Sequence, residues 1–200
     1  MNNSTNPQTI ILASASPRRA ELLDQIGVNY QIQVADINED ANVDESPESL
    51  VKRLAKQKAE KISLNNRSTP VLGADTLGVL KGVILNKPRD FDHAYEMLSA
   101  MSGNWHEILS AVALSYQGVT TVLLNKNRVF FKALSDQEIK SYWQTGEPQD
   151  KAGAYAIQGL AATFIERIEG SYSGIMGLPL FETNKLLKQA RICPENESRL

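Results

Sequence analysis

The sequence has a single cysteine, Cys193, set in the polar stretch Pro194-Glu195-Asn196-Glu197, so no internal disulfide can form and a reducing compartment is expected. It lacks any apolar run near the roughly 20 residues a spanning helix needs. Met1 to Thr9 has neither the basic segment nor the apolar stretch of a secretory leader, and a cytoplasmic location with no membrane partner is the expectation. An excess of either charge is missing too. The 21 Lys and Arg against 23 Asp and Glu leave a net −2, which gives no chain-wide pull toward nucleic acid, so any anion site must be local. The only two histidines, His93 and His106, have no metal-ligand spacing and no cysteine partner, which excludes a zinc site and leaves them structural or surface roles. A Walker loop and a dinucleotide fingerprint are absent. So is a nucleophile elbow, because the glycines of Gly170-Ser171-Tyr172-Ser173-Gly174 stand too far apart.

What is present is enough apolar material, 42% of 200 residues, for a real core. One domain over residues 8–191 is expected, with 1–7 and 192–200 as tails. Apolar runs of strand length alternate with helical patterns, which argues for an α/β fold. Ile10 to Ala13 read as a strand, and Pro17 opens a helix that Gly27 ends. Tyr30, Ile32 and Val34 alternate like a strand, and Ser46-Pro47 opens a helix placing Leu50, Leu54, Lys58 and Ile62 on one face. Pro70 to Asp75 read as a buried strand that ends in its carboxylate. Hairpins are expected at Lys81-Gly82 and Gln117-Gly118. Asp90 caps one helix, a Ser135/Glu138 capping box opens another that closes at Gly146, and Pro179 begins the last, ending near Ala190. In the irregular stretch after Asp150, Tyr155 to Ile157 and Thr163 to Ile168 are expected strands, with Gly170 to Gly174 a loop.

The segment Ser14-Ala15-Ser16-Pro17-Arg18-Arg19 holds the most chemistry. A strand feeding a helix N-terminus offers free amides and a positive dipole end, and two guanidinium groups there waste their charge unless an anion sits between them. Ser14 or Ser16 acting simply as a helix cap is the competing reading. Asp75 at a strand end can hold a divalent cation or take a proton from water. The cluster Asp36, Glu39 and Asp40 can add an oxygen ligand, and Lys58 and Lys87 are candidate phosphate clamps. Phosphoryl chemistry without a covalent step fits this set best.

Five separated strings, LASASPRRAELL at 12–23, GADT at 73–76, NKPRD at 86–90, DKAGAYAIQG at 150–159 and GSYSGIMGLPL at 170–180, resemble the Maf family of nucleotide pyrophosphatases in residues, order and spacing. The resemblance covers Ile10 to Leu187. It implies an elongated, twisted mixed β-sheet with flanking helices and two lobes around a central cleft, similar in shape to the inosine triphosphate pyrophosphatases. It also implies cleavage of a nucleoside triphosphate to the monophosphate and pyrophosphate with a divalent metal, Mg2+ or Mn2+. SPRR, GADT and IQG look like the branch acting on dTTP and UTP. By that resemblance Asp75 is the catalytic base and Arg18, Thr76 and Gln158 stand at positions tied to substrate choice. Ser14, Arg19, Lys58 and Lys87 match positions around the phosphates, and Glu39 joins Asp75 at the metal.

The chemistry of the residues agrees with the carry-over. Uracil and thymine present an N3–H donor between two carbonyl acceptors, which one amide, that of Gln158, can meet. That amide can flip, so Arg18, Thr76 and pocket shape must share the discrimination. The chain departs from the family pattern at Ala156, where Gly is more usual, at Ser110, where Thr is, and at Leu77-Gly78, where two valines are common. The first bears on the aim of Gln158; the other two are expected to affect only packing. Two alternatives stand beside this reading. One is the same fold with another base preference, such as 7-methyl-GTP; the other is a nucleotide-sensing regulator of septum formation with incidental hydrolysis. The oligomeric state is open, a homodimer being compatible.

Overall fold

The computed structural model describes residues 9–192. Of the expected tails 1–7 and 192–200, residues 1–7 and 193–200, with Cys193, lie outside the described residues, whereas Ile192, placed in the tail, is buried in the core. The described residues form one seven-stranded mixed sheet: β1 (Ile10–Leu12), β2 (Tyr30–Ile32), β3 (Val71–Leu80), β4 (Val83–Leu85), β5 (Trp105–Tyr116), β6 (Val119–Phe131) and β7 (Ile165–Glu169). The strand order is β2-β1-β3-β5-β6-β7, with β4 paired to β3. Among the described residues six α-helices join them: α1 (Pro17–Gln25), α2 (Pro47–Ser63), α3 (Phe91–Met101), α4 (Asp136–Gln144), α5 (Tyr172–Met176) and α6 (Leu180–Gln189). Among the described residues no helix is long and apolar enough to cross a membrane.

Local sequence rules account for most of these elements. Ser46 accepts from Ser49 N ahead of Pro47, Asp90 accepts from His93 N, and Ser135 and Glu138 form a reciprocal capping box. The hairpins turn where Lys81-Gly82 and Gln117-Gly118 adopt positive φ.

Strand alternation sorts the core. On one face of the sheet Ile11, Val71, Ala111 and Ala113 pack against Val51, Ala55 and Ala59 of α2. On the other, Leu12, Leu72, Ala74 and Val112 pack against Leu22 and Leu23 of α1 and Leu186 and Leu187 of α6. A separate cluster around Leu98, Met101, Phe131, Ile139 and Phe164 builds the second lobe, and the long strands β3, β5 and β6 run through both. Gly73 is where α2 touches the sheet most closely. A Cβ there would lie 2.4 Å from Ala55 O and 2.6 Å from Ala59 N, so only glycine admits the helix backbone.

Several expectations are corrected. The strand expected to end at Asp75 continues to Leu80, because β5 pairs with it from Val71 through Val79 and holds it extended. Tyr155 to Ile157 are not a strand. Gly153 and Ala154 have positive φ and turn the chain just before them, and the expected strand from Thr163 begins only at Ile165, after a 3-10 turn over Leu160–Phe164. The Gly170–Gly174 loop contains the short helix α5, opened by Ser171 Oγ accepting from Gly174 N. β2 is an edge strand that stops at Ile32, and both Ile32 and Val34 are exposed.

Candidate active site

The sheet has a gap in one edge. β1 pairs with β3 only at Val71 and Leu72, and β4 pairs with the same edge only from Gly78 to Leu80. Residues 74–77 between them have β5 on one side and, among the described residues, no strand on the other. Successive side chains of β3 point to opposite faces, so this gap presents Asp75 on the α2 side and Thr76 on the α5 side.

On the α2 side, the tight contact at Gly73 brings Lys58 down onto Asp75. Lys58 Nζ donates to Asp75 Oδ1 at 2.7 Å and to Glu39 Oε1 at 2.7 Å. Two of its three N–H groups are thereby used. Asp75 Oδ2 is buried without a hydrogen-bond partner among the described residues. Burial pushes the Asp75 carboxyl above the usual carboxylate range, while Lys58 and then Arg19 oppose the rise. Glu39 stays largely exposed, and among the described residues no three His, Cys, Asp or Glu side chains group as a metal site.

On the α5 side lies a cleft of about 240 Å³ lined by Arg18, Arg19, Thr76, Lys87, Tyr155 and Gln158, with the backbone of Met176 and Gly177. Arg19 Nε donates to Gly177 O at 2.9 Å and its Nη1 to Ser14 Oγ at 2.9 Å, tying the end of β1 to the loop after α5. Burial draws the Arg19 pKa down, Asp75 and Glu39 partly offsetting the effect and Arg18 adding to it, but a guanidinium keeps its charge. Ser16 takes the cap position of α1 without a side-chain cap bond, and Ser14 Oγ accepts from Ser16 N and from Arg19. Neither serine caps the helix amides in the simple way. A larger concavity of about 1140 Å³ lies between the 36–42 loop, α2 and the β5–β6 turn, and Asp36 and Asp40 line it. Neither concavity is lined by Lys58, Asp75 or Glu39, which meet on the opposite side of the strand edge from the smaller cleft, and Asp36 and Asp40 of the expected acidic cluster stand apart from Glu39 in the larger one.

A buried carboxylate with one open oxygen and a cluster of cations meeting over a strand edge can hold a polyphosphate and activate water. Residues 9–190 match the family described as Maf-like protein. The chain belongs to the Maf family. The Maf chain is 50% identical over 183 residues to a dTTP/UTP pyrophosphatase of Hahella chejuensis, covering 90% of this chain and 91% of that one. It is 52% identical to a protein of the same name from Methylobacillus flagellatus (94% and 95% covered) and 45% identical to one from Vibrio cholerae (89% and 96%). Among solved structures, a HAM1 protein from Coxiella burnetii superposes with a TM-score of 0.48 at 15% identity, covering 91% of this chain and 99% of that chain. A nucleoside-triphosphatase, or dITP/XTP pyrophosphatase, from Mycobacterium abscessus gives 0.41 at 15% identity, covering 70% and 95%.

The Maf chain thus places Lys58, Asp75 and Glu39 on one side of the edge and Arg18, Arg19, Thr76, Lys87 and Gln158 on the other, with Asp36 and Asp40 apart from both. Sequence reasoning passed over the residues that hold them. Glu147 accepts from Tyr142 Oη at 2.7 Å and from Leu160 N at 2.8 Å, and a Cβ at Gly159 would strike its carboxylate at 2.4 Å. It fixes the turn that follows Gln158. Asn127 accepts from Ser171 N at 2.6 Å and donates to Ile108 O, anchoring α5. The glycine next to Gln158 was the available signal for the first. Ala156 lies outside the positive-φ region, so its Cβ imposes no strain on Gln158. Ser110 does more than pack: it is fully buried and hydrogen-bonded to both Thr76 and Gly174.

Proposed function

We propose that the chain hydrolyses dTTP and UTP to the nucleoside monophosphate and pyrophosphate at the open edge of β3. The observation that carries the reading is Asp75, a buried carboxylate with one unpartnered oxygen beside Lys58 and Arg19. The relatives named dTTP/UTP pyrophosphatase, about half identical over nine tenths of the chain, supply the substrate class.

In this reading Asp75 Oδ2 accepts a proton from water as the water oxygen attacks the α-phosphorus in line. The bond from the α-phosphorus to the bridging oxygen breaks, and pyrophosphate leaves with that oxygen. Arg19, Lys87 and the remaining N–H of Lys58 neutralise the charge gathering on the phosphates. Asp75 and Glu39, whose carboxylates converge on Lys58 Nζ, would hold a magnesium or manganese ion, since such hard cations take one or two carboxylates and complete their shell with water and phosphate oxygens. Such a cation supplies further positive charge against the phosphate oxygens. The pyrimidine ring is read by Thr76, Arg18 and the amide of Gln158, which line the same cleft.

The test is pyrophosphate release by purified protein from dTTP, UTP, CTP, dATP, GTP and 7-methyl-GTP, each with and without magnesium or manganese. Metal-dependent cleavage of dTTP and UTP is expected. Cleavage of 7-methyl-GTP alone would overturn the base assignment, and no cleavage of any nucleotide would overturn the hydrolytic role.

A further inference from the structure

The polarity of one hydroxyl in the cleft is fixed by its neighbours. Ser110 Oγ lies 2.6 Å from Gly174 O, and Thr76 Oγ1 lies 2.8 Å from Ser110 Oγ. A hydroxyl has one hydrogen. A carbonyl oxygen only accepts, so the Ser110 hydrogen must point at Gly174 O; otherwise two oxygens would face each other at 2.6 Å with nothing between them. Ser110 is fully buried away from bulk solvent. Its lone pairs then face Thr76, which must supply the hydrogen for that contact. The other acceptor beside Thr76 is Gly177 O, at the longer distance of 3.4 Å, and it too would take the hydrogen away from a ligand.

We infer that Ser110 is a positioning residue that makes Thr76 a hydrogen-bond acceptor toward the cleft, so that Thr76 selects a base with a donor at that point. The inference rests on the pyrimidine reading above and deepens it. Uracil and thymine carry N3–H, whereas cytosine has a bare N3 lone pair that would meet the oxygen of Thr76 with repulsion. The relay Thr76 to Ser110 to Gly174 thus turns a residue able to give or take a hydrogen bond into one that only takes. A serine differs here from an inert filler of the same volume.

Ser110→Ala leaves only the long 3.4 Å contact with Gly177 O to hold the Thr76 hydrogen, so the hydroxyl can turn and donate to cytosine. The kcat/KM ratio of UTP over CTP is then expected to fall roughly three- to tenfold, the worth of one neutral hydrogen bond. Ser110→Cys keeps the volume with a weaker donor and should shift the ratio the same way by less, and it serves if the alanine variant folds poorly. Ser110→Thr restores the hydroxyl and should restore the ratio. A structural role alone would lower the melting temperature and the rates on both nucleotides while leaving their ratio intact. That result, in a protein whose wild type cleaves UTP, would overturn the inference. Wild-type protein inert toward UTP and dTTP would instead overturn the reading on which it rests.

Discussion

Gly73→Ala isolates the contact that sets Lys58 against Asp75. The added Cβ would stand 2.4 Å from Ala55 O and 2.6 Å from Ala59 N, and real Cβ contacts essentially never fall under 3.0 Å. Both partners are helix backbone, so no side-chain rotation relieves the clash and α2 must withdraw as a body. Lys58 lies one position before Ala59, and its 2.7 Å bond to Asp75 Oδ1 stretches with the retreat. Overpacking of this kind costs about 1–3 kcal/mol. At about 2–4 °C per kcal/mol for a chain of this length, the melting temperature should fall by roughly 2–12 °C. Because small misplacements of catalytic groups cost rate steeply, kcat on UTP should drop on the order of ten- to a hundredfold. Thermal unfolding followed by circular dichroism and steady-state pyrophosphate release read the two effects. Gly78→Ala is the control for stability, since its Cβ would meet side chains and no backbone, Leu85 at 3.2 Å and Ile108 at 3.7 Å. A Gly73→Ala protein with wild-type melting temperature and kcat would refute the claim that this contact holds Lys58 against Asp75.

Asp75→Asn should abolish pyrophosphate release while leaving the circular-dichroism spectrum unchanged, and retained turnover would remove Asp75 as the base. Since burial raises the Asp75 pKa, the carboxyl stays protonated to higher pH than an ordinary carboxylate, so kcat should climb with pH through an acid limb above that range. Lys58→Met removes the main opposing influence and should push the limb further up in a pH–rate profile; a limb moving down would contradict the pairing. Lys87→Ala should slow every nucleotide substrate alike, and a loss confined to one base would contradict a phosphate role. His106 is held neutral by burial, its pKa drawn down to about 4 from 6.5. With the folded value below the unfolded one, stability present above pH 6.5 is lost as pH falls toward 4, by roughly 3 kcal/mol. Urea unfolding of His106→Gln between pH 7 and 4 should show a correspondingly flatter pH dependence than the wild type.

Features decided by a few neighbouring residues were legible. The caps at Ser46, Asp90 and Ser135 and both hairpin turns follow from local hydrogen bonding and φ preference, and the structure forms them there. What failed depended on distant partners. Nothing near Asp75 announces that β5 will keep β3 extended to Leu80, and the apolar Tyr155-Ala156-Ile157 looks like a strand until Gly153 and Ala154 turn away from the sheet. The site divides in the same way. Its charged residues could be named one by one, but their placement on opposite faces of a single edge is a property of the sheet. So is the double bonding of Ser110, which joins β3, β5 and α5 across intervals of 34 and 64 residues.

The gap itself depends on an unremarked residue. Extending the pairing of Gly78 with Leu85 would bring Asn86 opposite Leu77, Lys87 opposite Thr76 and Pro88 opposite Asp75. Asn86 instead gives its carbonyl to Gly153 N at 3.1 Å, and Pro88 has no N–H with which to continue a ladder. The hairpin is thus a zipper with its stop built in three residues past the last tooth. Were it to run on, the sheet would gain hydrogen bonds and the lysine would become one more strand residue. Here greater regularity and a working cleft are mutually exclusive outcomes for the same few residues.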